Sequence, residues 1–251
     1  PAAAAAAPLI FDLGVNDGTD TDYYLRKGYR VVGVEAAPDL VAHLHRRFPA
    51  EIADGRFVLL DRVLWQQAGL KIPFHVNLDN NEWSSFDPAI AGRDPSHRVV
   101  THEIESTTYE ELVTRFGLPR YIKCDIEGGD VIFCEQLSRS PHRPAFVSAE
   151  LGRKGTVGLM AQAGYDRFQI VNQGIIPGTR APAGTREGRE VDMTFAHTSS
   201  GAFGLDLPAD RWLDLEDTIA VLNAFTVVWQ KAGHLCAAWA DVHATRAEHL
   251  G

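Results

Sequence analysis

Residues 9–40 read LIFDLGVNDGTDTDYYLRKGYRVVGVEAAPDL. An apolar run, Leu9–Leu13, enters the turn Gly14-Val15-Asn16-Asp17-Gly18. The stretch that follows reads as a helix closed by Gly28, because glycine ends helices in the left-handed conformation at little cost. "YRVVGVEA" is a second buried strand that ends at Glu35, and Pro38 suits the start of a second helix. Strand, glycine turn, helix and strand form the opening unit of an α/β sheet whose neighbouring strands run parallel.

The alternation continues. "RFVLLDRVL" (56–64) is a third strand, and "LKIPFHVN" (70–77) and "RVVTHEIES" (98–106) are extended segments around a loop at 80–88. "TYEELVTRFG" (108–117) is a helix and "RYIKCDIEGGD" (120–130) a strand running into a loop. "VIFCEQLS", "PAFVSAEL" and "VGLMAQAGY" read as helix, strand and helix, while "DRFQIVN" (166–172) and "EVDMTFAH" (190–197) are the expected last two strands. Residues 173–190, rich in Gly, Pro and Arg, read as a mobile loop. Beyond 197 the pattern changes to an irregular stretch, a strong helix in "LEDTIAVLNAFTVVWQKAG" (215–233) and the tail "AAWADVHATRAEHLG". The expected organisation is therefore a sheet domain over 1–197 and a helical extension over 198–251.

Asp12, Glu35, Asp61, Asp125 and Glu150 all fall at or near the carboxyl ends of expected strands. Acids are poor strand formers, and open α/β sheets bind ligands at that edge. Helix capping is the plainer role for any one of them. The net charge of −9 argues against a nucleic-acid partner, because phosphate binding needs a basic face. No apolar run reaches the roughly 18 residues of a membrane span. Three cysteines, Cys124, Cys134 and Cys236, cannot all pair, which fits a reducing, cytoplasmic setting. The opening PAAAAAAP has no basic n-region and is short for a signal peptide.

The turn lacks the G-x-G of a dinucleotide fingerprint, and Asp12 and Asp17 would face a pyrophosphate with like charge. S-adenosylmethionine suits it better: no phosphate, a sulfonium and an ammonium for Asp12, and a carboxylate for backbone N–H groups. Glu35 can accept from ribose hydroxyls, a role it would share with the acid of nicotinamide folds.

"FDLGVNDGTDT", "VVGVEAAPDL", "YIKCDIEGGDVIFCEQL" and "AFVSAEL", in this order, resemble the motifs of FkbM-type methyltransferases, a class I S-adenosylmethionine-dependent family. The resemblance covers roughly residues 8–197. It implies a Rossmann-like fold with a mostly parallel seven-stranded sheet and helices on both faces. It places Asp12, Gly14, Asn16 and Gly18 around the methionine part, Glu35 on ribose, and Ala36 beside adenine. It makes Asp61 a candidate acceptor for the adenine amino group, with Arg62 adjoining, and Ser85 part of a loop near the cofactor.

Methyl transfer to a hydroxyl needs alignment and a group that removes a proton. Lys123, Asp125 and Glu127 alternate, so they project to one side if the strand persists. Asp125 is the expected base, with Lys123 and Glu127 tuning it or holding substrate. A divalent metal is left open. Asp125, Glu127 and Asp130 offer hard oxygens without a fixed metal spacing, and no metal ligand is assigned. The expected acceptor is a hydroxyl on a sugar, glycan or small natural product. His243 and Trp239 are candidate acceptor contacts, His197 is a further candidate base or contact, and Trp212 and Trp229 add aromatic surface. A homo-oligomer is compatible with the extension. The competing readings are a binding module that kept the fold and lost transfer, and a nicotinamide-dependent oxidoreductase.

Overall fold

A computed structural model of the chain describes residues 7–151, 155–232 and 239–251. The first six residues of the alanine-rich start, Cys236 and the side chain of Trp229 lie outside the described residues.

The sheet strands are β1 (Leu9–Leu13), β2 (Arg30–Glu35), β3 (Phe57–Asp61), β7 (Tyr121–Cys124), β8 (Phe146–Glu150), β9 (Arg167–Asn172) and β10 (Ala240–Thr245). They lie in the order β3-β2-β1-β7-β8-β10-β9. The pairs β3–β2, β2–β1, β1–β7 and β7–β8 are parallel, and β10 runs antiparallel to both β8 and β9. A side sheet pairs β4 (Val63–Leu64), β6 (Val99–Thr107) and β5 (Lys71–Asn77) in the order β4-β6-β5. The helices are α1 (Thr19–Arg26), α2 (Pro38–Arg47), α3 (Pro49–Ala53), α4 (Pro88–Ala91), α5 (Tyr109–Phe116), α6 (Asp130–Arg139), α7 (Thr156–Gln162) and α8 (Leu215–Ala232).

Both faces of the sheet are covered, as its strands require: parallel strands buried on two sides are apolar throughout. In β1, Leu9, Phe11 and Leu13 point to a core closed by Tyr109 and Leu112 of α5, Phe133 and Leu137 of α6 and Met160 of α7. Ile10 points the other way, to Tyr23 and Tyr24 of α1, Leu44 of α2 and Phe203. The alternation of strand side chains thus feeds two cores from one strand. No helix among the described residues is long and apolar enough to cross a membrane.

Three expectations need correcting. Residues 190–197 form no strand. Their one pairing is an isolated bridge, Arg180 to Thr194. The reversed strand comes instead from 240–245, so the 198–251 extension supplies a sheet strand as well as α8. The segment 173–190 is pinned. Glu187 is buried, accepts from the Tyr29 hydroxyl at 2.7 Å and pairs with both Nε and Nη2 of Arg120 at 2.7 Å. The Lys27 ammonium, also buried, meets Asp206 at 2.8 Å and Thr185 at 2.7 Å.

Candidate functional site

β1 ends in the glycine turn, and Gly14 is the position that permits the site. Its φ is 86°, and a Cβ there would lie 1.9 Å from the Asp125 carbonyl oxygen. Only glycine lets the β1 and β7 loops approach so closely. Asn16 also adopts positive φ (52°), which places its N–H 2.9 Å from Glu35 Oε2. Gly18 (φ 86°) starts α1 with its Cα against Leu44 and Phe48, so it serves the turn's packing.

Glu35 ends β2 and turns inward. Its Oε1 accepts from the Ala36 and Ala37 N–H groups, both at 2.9 Å. With Asn16, three of about four lone-pair sites are taken, which fixes the carboxylate and leaves capacity for about one further donor. That is narrower than the expected capture of two ribose hydroxyls.

Lys123, directly across from Asp12 in the β1–β7 register, is buried beneath the turn. Its ammonium lies 3.3 Å from Asp125, 3.3 Å from Asp20 and 3.9 Å from Asp12. Burial opposes its charge, but these carboxylates and Asp241 outweigh that and hold its pKa well above the ordinary value. Asp12 is fully buried. Its Oδ2 accepts from the Thr21 hydroxyl at 2.6 Å, while Oδ1 has no hydrogen-bond donor among the described residues. Burial first, and Asp20 beside it, push its pKa up to about 7 against the pull of Lys123. Asp20 accepts from the Ser200 N–H at 3.0 Å, tying the segment 197–200 to this cluster.

The strand does not persist past Cys124, so the expected alternation of Lys123, Asp125 and Glu127 breaks at a turn in which Glu127 has φ 40°. All three nevertheless reach one cavity of about 390 Å³. Burial, with Glu150 and Asp125 nearby, raises Glu127 to about 8. Asp130 rises to about 7 for the same kind of reason. Glu127 also pairs at 3.3 Å with Arg93, whose guanidinium sits over the Trp83 ring.

The cavity has two ends. Ala36, Leu40, Val63, Phe74 and Phe86 make an apolar end beyond Glu35. Asp125, Glu127 and Glu150, with Trp83, His197 and Trp239, make an acidic and aromatic end. Gly14, Asn16, Glu35, Ala36, Arg62, Lys123, Asp125, Glu127 and Trp239 therefore share one space. Others do not. Asp61 is exposed at the end of β3 and lines no cavity wall, although Arg62 beside it does. Ser85 is fully buried behind the wall, where its hydroxyl donates to the Glu127 carbonyl at 2.7 Å and its neighbour Ser84 faces the cavity. His243 is 2% exposed in β10, stacked against Tyr121, and does not reach the cavity. Neither ring nitrogen has a hydrogen-bond partner among the described residues, and burial pushes its pKa down to about 3, so it is a neutral core ring.

Sequence reasoning missed Asp20, Asn81, Arg93 and Thr198–Ser200. Asp20 carried a signal: an acid two residues past the turn glycine, in the first turn of α1. The others reach the site from distant loops. Among the described residues, no group of three or more His, Cys, Asp or Glu side chains is placed to hold a metal ion.

No protein-family profile matches the chain. A probable ribosomal RNA small subunit methyltransferase A of Methanospirillum hungatei JF-1 is 34% identical over 83 residues, which span 32% of this chain and 30% of that protein. The C-terminal domain of precorrin-6Y C5,15-methyltransferase from Rhodobacter capsulatus superposes with a TM-score of 0.39 at 13% identity, over 76% of this chain and 79% of that domain. The strand order itself, with β10 reversed between β8 and β9, gives the chain the Rossmann-like α/β fold expected of class I methyltransferases.

Proposed function

We propose that the chain is an S-adenosylmethionine-dependent methyltransferase whose acceptor is a hydroxyl on a sugar, glycan or small natural product. The observation that carries this is a surplus of carboxylates over cations at the glycine turn. Lys123 is one cation among Asp12, Asp20 and Asp125, and Asp12 Oδ1 is buried without a donor. Such a site favours a cationic ligand and repels a phosphate. That weighs against a nicotinamide dinucleotide, as does the absent G-x-G.

The residues fit the cofactor. Gly14, Asn16 and Lys123, which line the cavity, would hold its amino-acid end with Asp12 and Asp20 buried around Lys123, Glu35 a ribose hydroxyl, and the apolar end its adenine. The bound cofactor supplies an electrophilic methyl group on a sulfonium. Asp125, at the mouth and 3.3 Å from Lys123, takes the acceptor's proton. Trp83, His197 and Trp239 form the wall against which an acceptor's apolar faces pack. The similarity to a ribosomal RNA methyltransferase raises an RNA acceptor. The net charge of −9 weighs against that acceptor.

The test is ligand-induced stabilisation. S-adenosylhomocysteine at about 100 times its dissociation constant should add about 2.7 kcal/mol to stability. NADH should add none, and Glu35→Ala should weaken the response. Stabilisation by NADH with none from S-adenosylhomocysteine would overturn the proposal.

A further inference from the structure

Helix α8 is apolar on the side it turns to solvent. Its inner side is accounted for: Thr218 is buried, and Leu215 and Leu222 pack on the core beneath the sheet. On the remaining surface Ile219, Val221, Phe225, Val227 and Val228 are 40–55% exposed. A helix that is hydrophobic all round belongs in an interior, and folded monomers rarely leave such a contiguous patch in water. None of these residues lines the cavity.

The charges on α8 sit only at its ends. Glu216 and Asp217 occupy the first turn and Lys231 the last, with no charged residue between. Asp217, Ala224 and Lys231 are spaced by sevens, so they lie on one face to within about 20° per step. That face is opposite Thr218 and Leu222, and Ala220 shares it. Neither Asp217 nor Lys231 has an ion-pair partner among the described residues. The strip thus has an acid at one end, a base at the other, small side chains at the centre and bulky apolar side chains along both edges.

We propose that α8 is a two-fold dimer interface, packed antiparallel against α8 of a second copy with the axis near Ala224. A two-fold contact joins the same patch on both subunits. An axis at Ala224 carries Asp217 of each copy onto Lys231 of the other, because both lie seven residues from it. A parallel pairing would set acid against acid. Ala220 and Ala224 let the backbones approach, while Val221, Val227, Val228 and Phe225 bury the exposed edges; Ile219 lies round the helix on the side of Leu215. Affinity comes from the apolar edges, and the end charges set orientation and register, since exposed ion pairs contribute little energy.

The helix dipole also favours acids at the start of a helix and bases at its end. Charge reversal separates the two roles. Sedimentation velocity on the full chain should give twice the 27.6 kDa chain mass. Asp217→Lys and Lys231→Asp should each raise the dimer dissociation constant about tenfold, because two symmetric attractions become repulsions. The double reversal should return it close to wild type, although it opposes the dipole at both ends. Ala224→Glu at the centre should give a monomer with its circular dichroism spectrum retained. A monomeric wild type at about 100 µM, a double reversal as weak as the singles, or a dimer that survives Ala224→Glu would each overturn the proposal.

Discussion

The two edges of the main sheet bury charge in opposite ways. At the edge where β7 begins, Arg120 pairs through two nitrogens with Glu187, and Lys27 pairs with Asp206, cation for anion. Neighbouring groups take up the remaining capacity: Tyr29 donates to Glu187, Thr185 accepts from Lys27, and the Leu205 N–H donates to Glu187. At the edge where β7 ends, Lys123 faces three carboxylates, one buried oxygen has no donor, and burial holds Asp12, Glu127 and Asp130 near or above pH 7. The closed network ties residues 185–206 to α1 and β7. The open one has carboxylate oxygens in surplus over cations. Balance marks the structural edge and imbalance the candidate ligand edge.

The comparison breaks first at Lys27. Lys27→Met strands Asp206 as a buried, uncompensated charge, which typically costs about 3–5 kcal/mol. Urea unfolding should show that loss, while the folded fraction binds S-adenosylhomocysteine as wild type does. A loss below about 1 kcal/mol would mean that the network is not structural.

At the open edge the expected damage is to chemistry. Asp125→Asn should lower methyl-transfer turnover by about a hundredfold or more, roughly 2.7 kcal/mol of barrier, with cofactor affinity near normal. Turnover can be followed by S-adenosylhomocysteine release. Unchanged turnover removes Asp125 from the reaction, and a parallel loss of cofactor binding moves it into the cofactor site.

The remaining effect is a pH slope. In the fold Glu127 keeps its proton to about pH 8, against an ordinary value of 4.5. Between those values the unfolded chain binds fewer protons at this site, so stability declines as pH rises through the window. Glu127→Gln has no proton to lose. Its melting temperature should fall less between pH 5 and 8, and it should exceed wild type at pH 8. Parallel melting profiles for the two proteins would contradict the burial of Glu127.

Much of the candidate ligand edge was legible because its residues are close in sequence. Gly14, Asn16 and Glu35 belong to one strand-turn-helix-strand unit, and Lys123 lies on the strand beside it. What was hidden depends on distance along the chain. β10 meets Glu150 and Ile170 across separations that no local pattern encodes. "EVDMTFAH" has strand-forming residues without a partner strand, while "ADVHAT" carries an acid and a histidine yet occupies the sheet interior. Strand preference follows the available neighbours more than the residue types. His243 looked reactive by type and proved to be a stacked ring in the core.

The placement of β10 also dictates an order of assembly. β9 touches β8 only through β10, so a nascent chain that has emerged up to residue 239 holds five adjoining parallel strands and a detached sixth. Until residues 240–245 are made, β8 presents an unpaired edge, a surface on which chains join one another. Joining β8 to β9 therefore waits until β10, which lies between them, has been made. It must outpace their capture by another molecule, and a slowly translated or nicked chain is most exposed to aggregation at that moment.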